Sequence, residues 1–129
     1  MSPIEEFHEL SAAAAARLAE TFNAPDVVPF GSAALDLIAE HPEERQTFAQ
    51  GLIDSALDPE RCDPWFLQFC VHGLRWPELK IAFESMYSSA VARNDWNIIP
   101  NLAKVLAAFE DNWEDARDFY GVYFQQERT

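Results

Sequence analysis

Five acidic side chains within nine positions are the feature of this sequence that most directly suggests a chemical role. They lie in the stretch AFEDNWEDARDFY, residues 108 to 120, with a single cation, Arg117, among them. The acids are Glu110, Asp111, Glu114, Asp115 and Asp118. Carboxylates at this density attract a cationic partner, since complementary charge steers encounter and selects partners. We therefore expect this stretch to bind a basic protein surface.

The position of these acids relative to predicted helix ends supports the same expectation. A helix break is predicted near Asn112, so that Glu110 and Asp111 end one helix while Glu114 and Asp115 begin the next. Acids in a first turn are stabilised by the positive end of the helix, whereas acids in a last turn oppose its dipole. Glu110 and Asp111 thus lack a structural explanation, and we infer that a basic partner relieves their unfavourable placement.

Four tryptophans fall at or near predicted helix starts. They are Trp65, Trp76, Trp96 and Trp113. One interpretation is that each closes the end of a helical hairpin, where its N–H can reach a free carbonyl. The other is that Trp96 or Trp113 anchors a partner, because tryptophan is enriched in binding hot spots. We predict both to belong to the binding surface together with the five acids.

The histidines give no support to a metal site. The chain contains only His8, His41 and His72. Glu5 lies three positions before His8, a step used in di-iron bundles, but such a site needs a second copy of the motif. His72 lies in the apolar stretch FCVHGL and is expected to be a hydrogen-bonded core group. We predict no metal and no cofactor.

Nucleophile and nucleotide motifs are also missing. Cys62 and Cys70 are the only cysteines and have no metal-type spacing, which is typical of buried thiols in a reducing compartment. The sequence contains no Gly-x-Ser-x-Gly and no glycine-rich phosphate loop. We predict no catalytic residues and a protein that is not an enzyme.

Composition bounds the partner class. The chain has 129 residues, 22 acidic and 9 basic side chains and a net charge of −13. Such acidity opposes binding to nucleic acid or to an anionic membrane, which both require Lys and Arg. No signal peptide or membrane-spanning segment is recognisable, so a cytoplasmic protein is the expectation. The oligomeric state is not predicted.

The elements that must position these residues are all helical. No stretch of useful length alternates apolar and polar residues, whereas apolar residues recur at three- and four-residue steps. Ser2 with Glu5 forms a capping box, and Ser32 and Asp63 are predicted caps. About seven helices are predicted, over Pro3 to Phe22, Ala33 to Glu40, Pro42 to Leu57, Pro64 to Trp76, Pro77 to Arg93, Pro100 to Asp111 and Trp113 to Gln125.

Three helix starts resemble one another. Residues 42 to 52 are PEERQTFAQGL, residues 77 to 87 are PELKIAFESMY and residues 114 to 124 are EDARDFYGVYF, at offsets of 35 and 37. The second, fourth, seventh and eleventh places match as Glu43, Glu78 and Asp115; Arg45, Lys80 and Arg117; Phe48, Phe83 and Tyr120; and Leu52, Tyr87 and Phe124. The fourth-place cation is expected to neutralise a neighbouring helix or to form a fork with an acid across the hairpin.

This spacing resembles a short stack of HEAT-type α-hairpins, although no diagnostic family motif is present. The resemblance implies one helical-repeat domain over residues 1–129. Residues 1–31 would form an N-terminal helix and loop, followed by hairpins at 32–57, 58–93 and 94–125. Stacked hairpins present one concave and one convex face, which suits binding.

Three functional hypotheses follow. The first is a non-catalytic acidic protein that binds a basic protein partner, of which an immunity-type antidote to a toxin domain is one concrete version. The second is a small-molecule-binding or enzymatic domain with a pocket near His72, lined by Phe69, Phe83 and Tyr87. The third is a DNA mimic, which uses spaced carboxylates in place of phosphates.

Overall fold

The chain folds as an all-α protein in a computed structural model that describes residues 1–58, 62–121 and 123–124. These residues form seven α-helices, as the sequence predicts, and contain no strand. The helices are α1 (Pro3–Thr21), α2 (Val28–Glu40), α3 (Arg45–Ala56), α4 (Pro64–Leu74), α5 (Pro77–Ala92), α6 (Ile99–Ala107) and α7 (Glu114–Asp118). The centre of the turn predicted after Asp58 and the predicted last helical residue, Gln125, lie outside the described residues.

Two predicted caps are confirmed. The Ser2 hydroxyl accepts a hydrogen bond from the backbone N–H of Glu5 at 3.3 Å, at the start of α1. The carboxylate of Asp63 accepts one from the N–H of Trp65 at 2.8 Å, at the start of α4. Proline follows the cap in both cases, where its missing N–H costs nothing. Local sequence therefore sets where these two helices begin.

The cap predicted at Ser32 is wrong. A 3₁₀ turn over Ala24–Val27 leads into α2 at Val28, so Ser32 lies inside the helix. The predicted loop over residues 23 to 31 rested on its prolines and on Gly31. Pro29 instead occupies the first turn of α2, where proline is well tolerated. Gly31 is needed for packing, because a Cβ there would lie 2.2 Å from Cδ1 of Phe69.

Helix α6 ends earlier than predicted. Its last residue is Ala107, four positions before Asp111, and a series of turns carries the chain through Asn112. Backbone N–H groups there bond to carbonyls three residues back, for example Glu110 to Ala107 at 3.1 Å. The residues that the sequence assigned to a helix end therefore lie in a turn region beside α7.

Aromatic side chains fill the core around α4. The ring of Phe66 lies 5.7 Å from that of Phe7 on α1, and the ring of Phe69 lies 5.1 Å from that of Tyr120. All four are fully or almost fully buried. Burying such side chains contributes roughly 1.5–3 kcal/mol each. The segment after α7 therefore packs against α4. The acids Glu114 and Asp115 of α7 lie near Trp65, at the start of α4.

The fourth-place cation of the repeat forms a fork to an acid on another helix in one of its three copies. Arg45 on α3 forks to Glu78 on α5, with Nε at 2.6 Å and Nη2 at 2.9 Å from the two carboxylate oxygens. The guanidinium carbon of Arg45 also lies 4.3 Å from the ring centroid of Trp76. Arg117 instead bonds to its neighbour Asp118. The HEAT-like repeat and the boundaries of its hairpins remain a prediction.

Candidate protein-binding surface

Three of the predicted binding acids line one open cleft beside α4, α6 and α7. Glu110 comes from the turns after α6, and Glu114 and Asp115 come from α7. We call this site, of ≈ 620 Å³, the acidic cleft. Its remaining described walls are Trp65, Gln68, Lys104, Ala107, Asn112, Trp113 and Phe119. Residues from separate elements thus meet at a single concave surface.

The charge of the acidic cleft is unbalanced. Lys104 is the one cation among the described residues that line it, against the three carboxylates. Partial burial raises the pKa of Asp115, the neighbouring Asp118 and Glu114 raise it further, and Lys104 lowers it. A cation entering the cleft would oppose that increase by favouring the ionised carboxylate. The cleft is therefore suited to a positively charged group.

Asp111 lies outside the acidic cleft, and the reasoning that singled it out is wrong. Because α6 ends at Ala107, neither Glu110 nor Asp111 lies in the last turn of a helix. The carboxylate of Asp111 is bound by the guanidinium group of Arg75, the residue that ends α4 in the left-handed conformation. The chain itself supplies the cation that we had inferred from a partner.

Asp118 is also paired within the chain. Its carboxylate accepts a hydrogen bond from Nε of Arg117 at 3.0 Å, and it does not line the acidic cleft. Both side chains are at least half exposed, so the pair is screened by solvent. Asp118 contributes to the local negative potential but not to the walls of the cleft.

The two candidate tryptophans differ in placement. Trp113 is only 7% exposed, and its ring lies 5.0 Å from His72 and 5.8 Å from Tyr120. It is a core residue that reaches the inner wall of the acidic cleft, so an anchoring role that needs an exposed ring does not fit it. Trp96 is 69% exposed in the turn before α6, but it does not line the acidic cleft.

Besides Ala107 and Asn112, sequence reasoning missed four residues of the cleft, namely Trp65, Gln68, Lys104 and Phe119. Gln68 carried a usable signal, because it is the one amide in the otherwise apolar stretch WFLQFCVHGL of α4. It is 3% exposed. The other three had no such signal, since their proximity to the acids depends on how α4, α6 and α7 pack together.

A second group of acids lies elsewhere. Glu6 and Glu9 on α1 and Asp36 and Glu40 on α2 line a shallower cleft of ≈ 590 Å³, with no described cation among its walls. These acids are exposed at helical spacing, and the ordinary explanation is a solvated helix face. They provide a matched comparison for the acidic cleft.

The surroundings of His72 are filled by side chains. His72 is 1% exposed, and its Nδ1–H donates to the carbonyl of Ala108 at 2.7 Å, which confirms the predicted core role. The rings of Trp113 and Phe124 lie 5.0 Å and 4.7 Å away. Phe69 and Phe83 are completely buried as well. A nearby open cleft of ≈ 450 Å³ lies instead beside Gly73, Trp76 and Arg45.

Comparison of the chain with protein-family models, with curated proteins and with solved structures found no match. Within the described ranges, no three His, Cys, Asp or Glu side chains come together as a metal-binding group. None of the helices seen in that part of the chain has both the length and the apolar character needed to cross a bilayer. The fold class of the described residues is all-α.

Proposed function

We propose that this protein is a non-catalytic acidic interaction protein that binds a basic protein partner through the acidic cleft. The observation that supports the proposal is the convergence of Glu110, Glu114 and Asp115 on one cleft, where Lys104 is the one cation among the described lining residues. Charge complementarity of this kind raises the association rate and excludes acidic partners. Trp65 and Phe119 add apolar surface to the same cleft, which provides affinity that charge alone does not.

An immunity-type antidote to a toxin domain is the concrete form that we favour. An acidic, non-catalytic helical protein can neutralise a basic domain by covering its cationic surface. Such an inhibitor works by occupying the partner, so it needs no cofactor and no metal of its own. Its cellular setting would be the cytoplasm of the bacterium that carries both proteins.

Affinity capture from the native host tests this function. The tagged protein would be compared with a triple variant, Glu110→Lys, Glu114→Lys and Asp115→Lys. The matched control is Glu6→Lys, Glu9→Lys and Glu40→Lys, which has the same net charge but leaves the acidic cleft unchanged. We expect a basic protein to be captured by the wild type and the control but not by the first variant.

Two results would contradict the proposal. One is a captured partner that is not basic. The other is a partner that is retained by the acidic-cleft variant and lost by the control, which would place binding on the α1–α2 face. Five of the six substituted acids are exposed and Asp115 is partly buried, and circular dichroism of both variants shows whether they remain folded.

A further inference from the structure

A second cleft of ≈ 490 Å³ adjoins the acidic cleft and shares three of its walls. The shared residues are Trp65, Gln68 and Lys104. Away from them the second cleft is lined by Leu18 and Phe22 at the end of α1. The two clefts thus adjoin at these three residues, and we call them together the groove, which has Phe22 among its walls at one end and Glu110 and Glu114 at the other.

Gln68 in the middle of this groove is buried without a hydrogen-bond partner. Its side chain is 3% exposed, and no described residue bonds to its amide. Its amide atoms are nevertheless not sealed from solvent, as the Tyr120 hydroxyl is. Because Gln68 lines both clefts, its remaining contact with solvent is through the groove. A buried amide gains more from a hydrogen bond than an exposed one, so this position favours a polar group of a ligand.

At the far end of the groove the walls from the end of α1 are apolar, while Asp63, Asn97 and Asn101 supply polar atoms. Phe22 is 81% exposed, although it is a large aromatic side chain. Its backbone holds the left-handed conformation that ends α1, with φ of 51°. That position ordinarily favours glycine or asparagine, so phenylalanine there is a poor choice for the helix end itself. An exposed ring next to a cleft is suited to contact with an apolar group.

We propose that the groove binds one continuous segment of the basic partner. The segment would place a cationic side chain among Glu110, Glu114 and Asp115, a polar group against the Gln68 amide and an apolar side chain on Phe22. This inference rests on the proposed function and specifies the partner's binding element. The charge of one end, the unpartnered amide in the middle and the exposed ring at the other end select this occupant.

Selection from a phage-displayed library of random linear peptides tests the inference. Enriched peptides would be synthesised and titrated by calorimetry against the wild type and three variants. Gln68→Met keeps the side-chain length but removes both hydrogen-bonding ends. Phe22→Asn removes the ring and retains a residue that accepts the left-handed conformation. Glu110→Gln with Glu114→Gln removes charge from the acidic cleft.

We expect the enriched peptides to combine cationic and apolar residues. Each of the three variants should weaken their binding by about threefold to tenfold, the effect of losing one hydrogen bond or one contact. Ile81→Gln is the control, because Ile81 is an exposed apolar residue on α5 that lines neither cleft, and it should have no effect. Thermal unfolding confirms that each variant is folded before it is titrated.

The remaining outcomes separate this inference from the proposed function. If basic peptides lose affinity only for the charge variant, Glu110→Gln with Glu114→Gln, the inference that the groove binds a linear segment is wrong. The proposed function is then retained. If the enriched peptides contain no cations and their binding depends on Gln68 and Phe22, the proposed basic partner is wrong. The groove is then supported as a site for a linear segment. A library from which nothing is enriched above background would overturn the groove as a site for a linear segment.

Discussion

The guanidinium group of Arg75 binds the carboxylate of Asp111 and so joins the end of α4 to the turns that follow α6. Two positions later, Trp113 packs on His72 of the same α4 helix. The turn region is thereby held against α4 at two points, one ionic and one aromatic. The acids on either side of Asp111 are carried on this segment, while Asp111, which is 90% exposed, is paired with Arg75 at the surface, where solvent screens the pair.

Asp111→Asn should change partner affinity less than Glu114→Gln. Asp111 already forms an ion pair with Arg75, whereas Glu114 lines the acidic cleft and forms no ion pair with the described residues. We expect less than a twofold change in Kd for Asp111→Asn and about threefold or more for Glu114→Gln. Calorimetric titration with the captured partner measures both. Equal losses would show that Arg75 does not neutralise Asp111 during binding.

Lys104→Gln should strengthen binding of the basic partner. Lys104 is the cation that opposes the three carboxylates of the acidic cleft, so its removal makes the cleft more negative. The effect should appear mainly in the association rate and should shrink as salt is added. Surface plasmon resonance at two ionic strengths measures it. Lys80→Gln is the control, since Lys80 is exposed on α5 and lines neither cleft of the groove. An equal increase in association rate for Lys80→Gln would indicate a general charge effect.

Binding should release a proton from Asp115 and should weaken as the pH falls. The pKa of Asp115 is raised above its ordinary value of 3.8, chiefly by partial burial, so the free protein retains a proton there at higher pH than usual. A cation in the cleft stabilises the ionised form and lowers that pKa again. Affinity should thus fall as the pH decreases through the raised pKa. Calorimetry in two buffers of different ionisation enthalpy counts the protons, and Asp115→Asn should abolish this release.

The ion pair between Arg45 and Glu78 should make stability depend on pH. The hydrogen bond from Arg45, together with a backbone hydrogen bond of Glu78 itself, lowers the pKa of Glu78 from 4.5 to about 2. A lowered carboxyl pKa stabilises the folded state above the unfolded value, and this contribution is lost as the pH falls from 4.5 towards 2. Glu78→Gln should lower Tm at neutral pH by a few degrees at most, because both side chains are nearly half exposed.

The control for this change is Glu84→Gln, an exposed acid on the same helix. It should leave Tm almost unchanged. The difference in Tm between the wild type and Glu78→Gln should shrink as the pH is lowered over the same interval. A difference in Tm that stayed constant with pH would assign the effect to the packing of Arg45 on Trp76 and not to the ionised carboxylate of Glu78.

Gly31→Ala should destabilise the fold more than Gly73→Ala. A Cβ at Gly31 would meet the buried ring of Phe69 at 2.2 Å, and overpacking of this kind costs about 1–3 kcal/mol. A Cβ at Gly73 would meet the end of the flexible Leu35 side chain at 2.5 Å, and Leu35 is only partly buried. In both variants the gain in helix propensity from Gly to Ala, about 1 kcal/mol, offsets part of the cost of the steric overlap. Denaturant unfolding of both variants provides the comparison, and equal losses would contradict it.

The sequence by itself determined the fold class and several local features. The caps at Ser2 and Asp63 and the start of α5 at Pro77 depend on neighbouring residues alone, so their signals are complete in a few positions. The burial of His72 followed from its apolar surroundings. Helix ends were less predictable. Helix α6 ends at Ala107, where the following turns pack against α4. No residue between 107 and 111 is a Gly or Pro that would predict this end.

Tertiary structure decided which side chains share a surface. The acids were visible in the sequence, but only the packing of α4, α6 and α7 separates Asp111, bound by Arg75, from Glu110, Glu114 and Asp115, which meet at the acidic cleft. The same packing buries Trp113 and places the Gln68 amide between two clefts. Charge and helical spacing can be read from a single segment of sequence. Which side chains share a surface depends on contacts between helices that lie far apart along the chain.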